Sequence, residues 1–145
     1  MLKISLNKQL SAKLLRIMKE SPAKMAKATT VGLRRCGDQL RNDAAQNAPY
    51  LTGNLRRSIT MEMVGDKKAI VGSNLEYARI HDEGGVIYPK KSKYLRFQIG
   101  GQWVSVKKVT IPKYRGQGYL TPAFEKLVKG DAERIFTEEI MNAIK

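Results

Sequence analysis

Two spacings of apolar residues alternate along this chain, and they divide it into a helical beginning, a β-rich middle and a helical end. Over residues 6–20 the apolar positions recur every three or four residues, the spacing that lines one face of a helix. The same spacing over 23–47 predicts a second helix, with Pro22 suited to its first turn. Gly32 lies close to its apolar stripe, so another element is expected to approach closely there. The stripe comprises Met25, Thr29, Leu33, Cys36, Leu40 and Ala44.

The middle of the chain, residues 59–111, alternates apolar and polar positions and is predicted to form strands. A polar turn in the centre of residues 59–73 indicates one hairpin, and the Gly100-Gly101 pair within 94–111 indicates another. Between the hairpins a short helix is expected, capped by Asn74 and ended by Gly84-Gly85.

A long helix is predicted over residues 121–144, with Thr121 as its cap, Pro122 in its first turn and a kink at Lys129-Gly130. Strands flanked by helices favour an α+β fold. We expect a mostly antiparallel sheet of about four strands in two hairpins, packed with two N-terminal helices and one C-terminal helix. These elements are expected to form a single domain over 1–145, helical over 6–47 and β-rich over 59–111.

Composition limits the classes of protein that fit. The chain has 27 Lys and Arg against 13 Asp and Glu, a formal net charge of +14, and 42% of its residues are apolar. No apolar run is long enough to span a membrane, and no secretory signal is expected at the N-terminus. The lone Cys36 cannot form an internal disulfide, and one cysteine with one histidine do not suit a zinc site. Such a charge fits a solvated surface, nucleic acid, an anionic membrane or an acidic protein.

His81, Asp82 and Glu83 form the one cluster that resembles a catalytic or metal site. Adjacent residues on a short helix point in different directions, so the three side chains are not expected to converge on one ion. We therefore prefer a structural role for His81 near the glycine turn, and we keep a small hydrolase using His81 as a weak alternative. No glycine-rich phosphate loop or nucleophile elbow is present. We expect no enzyme activity, no metal and no cofactor.

Binding of nucleic acid without sequence specificity is the main alternative function. Aromatic residues lie among lysines and arginines, an arrangement that can stack bases and hold phosphates. Against it, Tyr94 and Trp103 fall in strand patterns and are expected to be packing residues. Two basic loops are predicted, at 86–93 and 112–119. The interleaved aromatic residues are Tyr88, Tyr94, Trp103, Tyr114 and Tyr119.

Three segments resemble motifs of the tail-completion and head–tail joining proteins of long-tailed bacteriophages and prophages. Residues 48–59, APYLTGNLRRSI, resemble the first motif, and residues 71–85, VGSNLEYARIHDEGG, resemble the second. Residues 120–124, LTPAF, are similar to the start of the family's last helix, although Gly116–Tyr119 replace its arginine-proline start.

The resemblance implies a non-enzymatic virion component, assembled in the host cytoplasm and located at the neck or the head-proximal tail. It implies a ring of about six copies that contacts other neck, connector or tail proteins, with no membrane partner. The basic loops are expected to face a neighbouring subunit or DNA in the channel. Their candidate residues are Lys90, Lys91, Lys93, Lys113, Tyr114 and Arg115.

The same resemblance implies scaffold roles for the motif residues. Thr52, Gly53 and Asn54 are expected to form the turn that seats a short helix, either Thr52 or Asn54 capping it, and Leu55 is expected to pack on the sheet. The second motif is expected to shape the turn after the second strand through Tyr77, His81, Gly84 and Gly85.

Overall fold

The structure is a computed structural model that describes residues 12, 15–16, 18–19, 21–50, 53–116 and 118–145. The chain divides into two compact units. Unit 1 takes in the described residues up to Arg41 together with Met61–Val71 and Glu125–Lys145. Unit 2 comprises Asn42–Thr60 and Gly72–Phe124. The predicted helix over 6–20 lies mostly outside the described residues.

The described residues form helices and short strands, and the strands lie between the helices at the two ends of the chain. The helices are α1 (Pro22–Asn47), α2 (Asn54–Ser58), α3 (Ala78–Glu83), α4 (Leu120–Lys126) and α5 (Ala132–Ile144). The strands are β1 (Ile59–Val64), β2 (Lys68–Ser73), β3 (Gly85–Ile87), β4 (Leu95–Ile99), β5 (Gln102–Val106) and β6 (Val109–Ile111). A 3₁₀ turn occupies Tyr114–Gly116, and a π-helical turn, Leu127–Asp131, joins α4 to α5.

In unit 1, α1 and α5 pack closely because α1 carries small residues where they meet. A Cβ atom built on Gly32 would lie 2.7 Å from Cδ1 of Phe136, so the aromatic ring lies almost directly against the helix backbone. Cys36 is buried with Leu127 and Ile135, and Leu40 packs at the edge of this cluster. The predicted close approach at Gly32 is therefore confirmed. Thr29, which was placed on the apolar stripe, is exposed instead, and its hydroxyl donates to the Met25 carbonyl.

Ion pairs add to the contact between the two helices at its edge. Arg35 donates from Nη2 to Glu138 at 2.9 Å and from Nη1 to Glu139 at 2.5 Å. The guanidinium holds the pKa of Glu138 below its ordinary value, with help from Arg134 on the same helix. These charges are partly exposed, so apolar packing remains the larger contribution to stability.

The first hairpin is confirmed, since β1 and β2 form a two-stranded sheet around a short turn. Gly37 of α1 allows the hairpin to approach within unit 1, because a Cβ there would lie 2.8 Å from Cγ of Met61. The predicted alternation is confirmed in β1, where Ile59, Met61 and Met63 face inward and Thr60, Glu62 and Val64 are exposed. The first four residues of β2 alternate as well, with Ile70 exposed.

Unit 2 contains two further two-stranded antiparallel sheets. Strand β3 pairs with β6, placing Val86 opposite Thr110. Strand β4 pairs with β5 around Gly100-Gly101, placing Phe97 opposite Val104. Both turn glycines have positive φ, 58° and 83°, which is the geometry of the two-residue hairpin turn that the sequence predicts.

The α+β class is confirmed, and its strand count is corrected. The described residues form six strands in three separate pairs, where about four strands in two hairpins were expected. The predicted strand over 103–111 is interrupted at Lys107-Lys108, and its two parts pair with different partners. Residues 85–87, partly assigned to a loop, form β3 because β6 provides them with hydrogen-bonding partners.

The C-terminal helix forms over the predicted range with a π-helical turn where the kink was expected, at Lys129-Gly130. Two predicted caps are wrong. Helix α4 begins at Leu120, which places Thr121 within its first turn, and α3 begins at Ala78, four residues after Asn74.

No helix among the described residues combines the length and apolar character that a membrane span requires.

Candidate functional site

The first motif closes the C-terminal end of α1 through Arg56. Its Nε donates to the Ala48 carbonyl at 3.0 Å and its Nη2 to the Gln46 carbonyl at 3.4 Å. The last carbonyls of a helix have no partner within the helix, and the planar guanidinium satisfies two of those at this end. The guanidinium also lies over the ring of Tyr50, 4.9 Å from its centre. Arg56 therefore fixes where the chain leaves the long helix.

The turn into α2 depends on glycine and not on a polar cap. Gly53 is the residue before the helix and has φ 75°, a conformation that other residues adopt at a cost. Asn54 is the first helical residue, and its Oδ1 accepts a hydrogen bond from Nη2 of Arg57 at 2.7 Å, so the predicted Asn54 cap is wrong. Leu55 is buried. Thr52, the other predicted cap, lies outside the described residues.

The second motif forms a compact helix end. The rings of Tyr77 and His81 meet edge to face with their centres 5.9 Å apart. Gly84 ends α3 with φ 72°, and its N–H donates to the Ile80 carbonyl at 3.0 Å. Gly85 continues into β3 and contacts the Ile80 side chain. The side chains of His81, Asp82 and Glu83 do not converge on one point. Glu83 pairs with Arg79 at 2.7 Å, whereas Oδ1 of Asp82 accepts hydrogen bonds from the start of α4.

Asp82 acts as the cap of a helix that is distant in sequence. Its Oδ1 accepts hydrogen bonds from the backbone N–H groups of Tyr119 at 2.9 Å and Leu120 at 2.8 Å. These groups lie at the start of α4, where N–H groups lack helical partners and a negative charge is favourable. Asp82 belongs to the cluster that resembles a catalytic or metal site in the sequence, and its hydrogen bonds give it a structural role.

The end of α3 thereby fixes both ends of the second basic loop. A Cβ on Gly84 would lie 2.9 Å from N of Lys113 and 3.0 Å from O of Ile111, so the chain passes directly against this glycine as it enters the loop. At the other end Gly118, with φ 81°, lies so close to Asp82 that a Cβ would meet its Oδ1 at 2.5 Å.

Tyr119 is buried beside Asp82, with 3% of its surface exposed. Burial raises the pKa of its phenol to about 12, and the negative charge of Asp82 adds to the shift. Both effects disfavour the phenolate. The folded chain therefore retains the phenol proton at a pH where an exposed tyrosine has lost it.

We expect one of the six tyrosines to titrate late in the folded protein. Absorbance at 295 nm recorded against pH is expected to show a last step near pH 12, and Tyr119→Phe should remove that step alone. Because folding raises the pKa of Tyr119, the contribution of its buried phenol to the free energy of unfolding is complete below about pH 10. That contribution is lost as the pH rises towards 12. An unchanged last step in the Tyr119→Phe protein would contradict the burial of this phenol.

The first basic loop forms one wall of an open groove at the base of the second hairpin. The loop follows β3, and three of the predicted residues, Lys90, Lys91 and Lys93, are exposed on it. The Nζ of Lys93 lies 5.9 Å from the centre of the Tyr94 ring. The groove brings Lys90 and Lys93 together with Arg96 of β4, which the sequence analysis did not select. It is lined by Pro89, Lys90, Ser92, Lys93, Tyr94, Leu95, Arg96 and Ser105.

Both basic loops belong to a stretch of the sequence without acidic residues. Between Glu83 and Glu125 the chain has eight Lys and Arg and no Asp or Glu. Lys113 and Arg115 of the second loop are exposed, and Arg115 adopts a left-handed conformation with φ 50°. Tyr114 belongs to the 3₁₀ turn of that loop. All of these residues lie in unit 2.

Two aromatic residues predicted to pack inside the sheet are exposed instead. Trp103 has 72% of its surface exposed and Tyr94 has 40%. The register explains the error, because Trp103 lies opposite Gln98 on the polar face of the hairpin, while the half-buried face carries Phe97 and Val104. An aromatic residue in an alternating pattern does not reveal which face is covered. In β5, Ser105 lies two residues after Trp103 and therefore on the same face. This polar neighbour is the signal that could have placed Trp103 on the exposed face.

The charged side chains of the described residues are distributed over exposed surfaces and ion pairs. Among the described residues no group of three or more His, Cys, Asp or Glu side chains is arranged to hold a metal ion. The prominent feature is an exposed array of cationic and aromatic side chains on the first basic loop and the β4–β5 hairpin. Positive charge of this kind attracts anions.

Comparison with known proteins gives a match to a family. The family model described as "Bacteriophage HK97-gp10, putative tail-component" matches residues 7–84, just over half of the chain. The matched segment includes the first motif and nearly all of the second, and it ends where the acid-free stretch begins. No curated protein and no solved structure matches the chain.

Proposed function

Because this chain belongs to the HK97-gp10-like family of bacteriophage tail components, we propose that it completes the tail or joins the tail to the filled head at the neck. Family membership makes the chain a tail component and therefore part of a virion. The position at the neck is the finer part of the proposal. It rests on the likeness of residues 48–59 and 71–85 to the motifs of tail-completion and head–tail joining proteins.

The proposed action is assembly by docking, with no bond made or broken. The motif residues that the structure describes serve as scaffold: Arg56 closes a helix, Asp82 caps another, and His81 packs against Tyr77. We further propose that about six copies form a ring, with partners among other neck, connector or tail proteins. Head-to-tail contacts close into a ring when the rotation between copies permits.

The two basic loops are proposed as the contact segments of this assembly. Lys90, Lys91 and Lys93 are exposed on the first loop, and Gly84 and Gly118 make close contacts at the two ends of the second. Exposed cations on a fixed framework attract an acidic neighbour, or hold DNA in a channel loosely and without sequence choice.

The test is complementation of a phage from which this gene has been deleted. Without the gene, electron microscopy is expected to show filled heads and separate tails, and plasmid-borne wild-type protein should restore joined particles with rings at the neck. A variant with Lys90→Glu, Lys91→Glu and Lys93→Glu is expected to fold normally but to restore at least tenfold fewer infectious particles, because three contacts change from attractive to repulsive.

Lys67→Glu with Lys68→Glu is the matched control, since these lysines are also exposed but lie at the turn of the first hairpin. The control is expected to complement like the wild type. Joined, infectious particles that lack the protein would refute the neck function. Normal assembly and infectivity with the triple variant would refute the role of the first loop alone.

A further inference from the structure

We propose that the polar face of the β4–β5 hairpin is the anchor by which this chain docks onto an acidic protein of the virion. The proposal rests on the tail function above and goes further by naming the surface and the chemistry of its partner. The face is defined by Tyr94, Arg96, Trp103 and Ser105, and we call it the hairpin face.

The register places Arg96, Ser105 and Trp103 on one face of the hairpin. Arg96 lies directly opposite Ser105 and Gln98 opposite Trp103, and residues directly opposite each other project from the same face of a sheet. Residues two apart along a strand also share a face. Arg96 Nε donates to Ser105 Oγ at 3.2 Å, which fixes the guanidinium across the two strands. Tyr94 lines the same groove as Arg96 and Ser105.

The hairpin face has the residue composition of a binding hot spot in a protein–protein interface. Trp, Tyr and Arg are the three residue types most enriched among the residues that dominate binding energy. Trp103 is 72% exposed on a two-stranded sheet that forms no further pairs in the part of the chain the structure describes. A tryptophan in water at this position contributes little to folding, so its large apolar surface is available to a partner.

Charge defines the partner as acidic. Lys90, Lys93 and Arg96 line the groove beside the hairpin face, and no acidic residue occurs between Glu83 and Glu125. Two of the three carboxylates of α5, those of Glu138 and Glu139, already pair with Arg35. With a net charge of +14, another copy is repelled at this face.

The observations favour a protein over DNA. Contact with duplex phosphates without sequence choice requires positive charge and no aromatic group. Trp103 would gain contact area on a duplex only by entering the base stack, which costs unstacking energy. An apolar pocket with an acidic rim accommodates Trp103 and Arg96 together at no such cost.

The experiment measures incorporation of the chain into particles. The gene-deleted phage is complemented with wild-type, Trp103→Ala or Arg96→Glu protein, and bound copies are counted by quantitative mass spectrometry in purified heads, free tails and joined virions. Each variant is expected to be incorporated at least about tenfold less than the wild type, as is typical for loss of a dominant contact. Thermal unfolding of the purified variants should match the wild type, because both side chains are exposed.

Ile99→Ala is the matched control. Ile99 is 62% exposed in the same hairpin, but its register partner is Gln102, so it lies on the opposite face. It is expected to be incorporated like the wild type, and a loss equal to that of Trp103→Ala would overturn the assignment to the hairpin face.

Two further outcomes separate this inference from the tail function. Wild-type protein absent from virions would refute the tail function itself. Wild-type protein present, with Trp103→Ala incorporated equally well, would refute the hairpin face alone. Purified protein is also titrated with a duplex DNA oligonucleotide at several salt concentrations. Trp103→Ala is expected to bind as the wild type does, and a tenfold loss of duplex affinity with normal incorporation would assign this face to DNA instead.

Discussion

Replacing Gly118 with alanine is expected to destabilise the protein by roughly 3 kcal/mol. The left-handed conformation at φ 81° costs a residue with a Cβ about 1–2 kcal/mol. The added methyl group would also meet the backbone carbonyl oxygen of Asp82, its nearest neighbour, and Oδ1 of the same residue at 2.5 Å, and overpacking of this kind costs roughly 1–3 kcal/mol. Relief of the clash requires Asp82 to move, which weakens its hydrogen bonds to Tyr119 and Leu120.

Thermal unfolding and amide hydrogen exchange measure the two parts of this effect. The melting temperature is expected to fall by about 10 °C, the shift that such an energy produces in a chain of this size. Exchange should accelerate at the N–H groups of Tyr119 and Leu120, because these are the groups that Asp82 caps.

Gly116→Ala is the control, since Gly116 has a similar φ of 78° but no atom within 4 Å of a built Cβ. It is expected to cost only the conformational part, about 1–2 kcal/mol. Equal losses at the two glycines would show that the contact with Asp82 contributes nothing measurable.

Replacing Gly32 with valine is expected to cost about 2–3 kcal/mol, through the packing of α1 on α5. The Phe136 ring occupies the space that a side chain would need, with Cδ1 at 2.7 Å and Cε1 at 2.9 Å from a built Cβ. A modest gain in helix propensity over glycine offsets only part of the overpacking. Urea unfolding of the purified protein, at pH 7, gives the change in free energy.

Gly130→Val provides the comparison, because a Cβ at Gly130 has no neighbour within 4 Å and this glycine is exposed. Its free energy of unfolding is expected to change by less than about 0.5 kcal/mol. Gly32→Val should also cost less in a Phe136→Ala background, since the two residues touch. An undiminished cost there would mean that another neighbour limits the space.

The element types were accessible from sequence because each has a local cause. The three- to four-residue spacing predicted the helix at 23–47, and Pro22 marked its start. Gly100-Gly101 predicted the second hairpin through their tolerance of positive φ. Gly84 was expected to end α3 for the same reason, and it does. The two motifs at 48–59 and 71–85 led to the family to which the chain belongs.

Other features depend on which distant segments meet, and no local pattern encodes that. Thr121 was predicted to cap the last helix, but Asp82 reaches its N-terminus from 37 residues away. The strand predicted over 103–111 divides because β3 pairs with its last three residues. Trp103 was expected inside, yet the register turns it to the polar face with Arg96.

The sequence by itself determined the helix and hairpin segments, the acid-free stretch after Glu83 and the family of the chain. These properties follow from side-chain spacing, backbone freedom and composition, which act over a few residues at a time. Only the tertiary structure decided that Asp82 caps the helix that begins at Leu120 and that Arg96 and Trp103 share one exposed face. The physical reason is that capping and strand pairing require donors and acceptors to meet in space, and their partners come from remote parts of the chain.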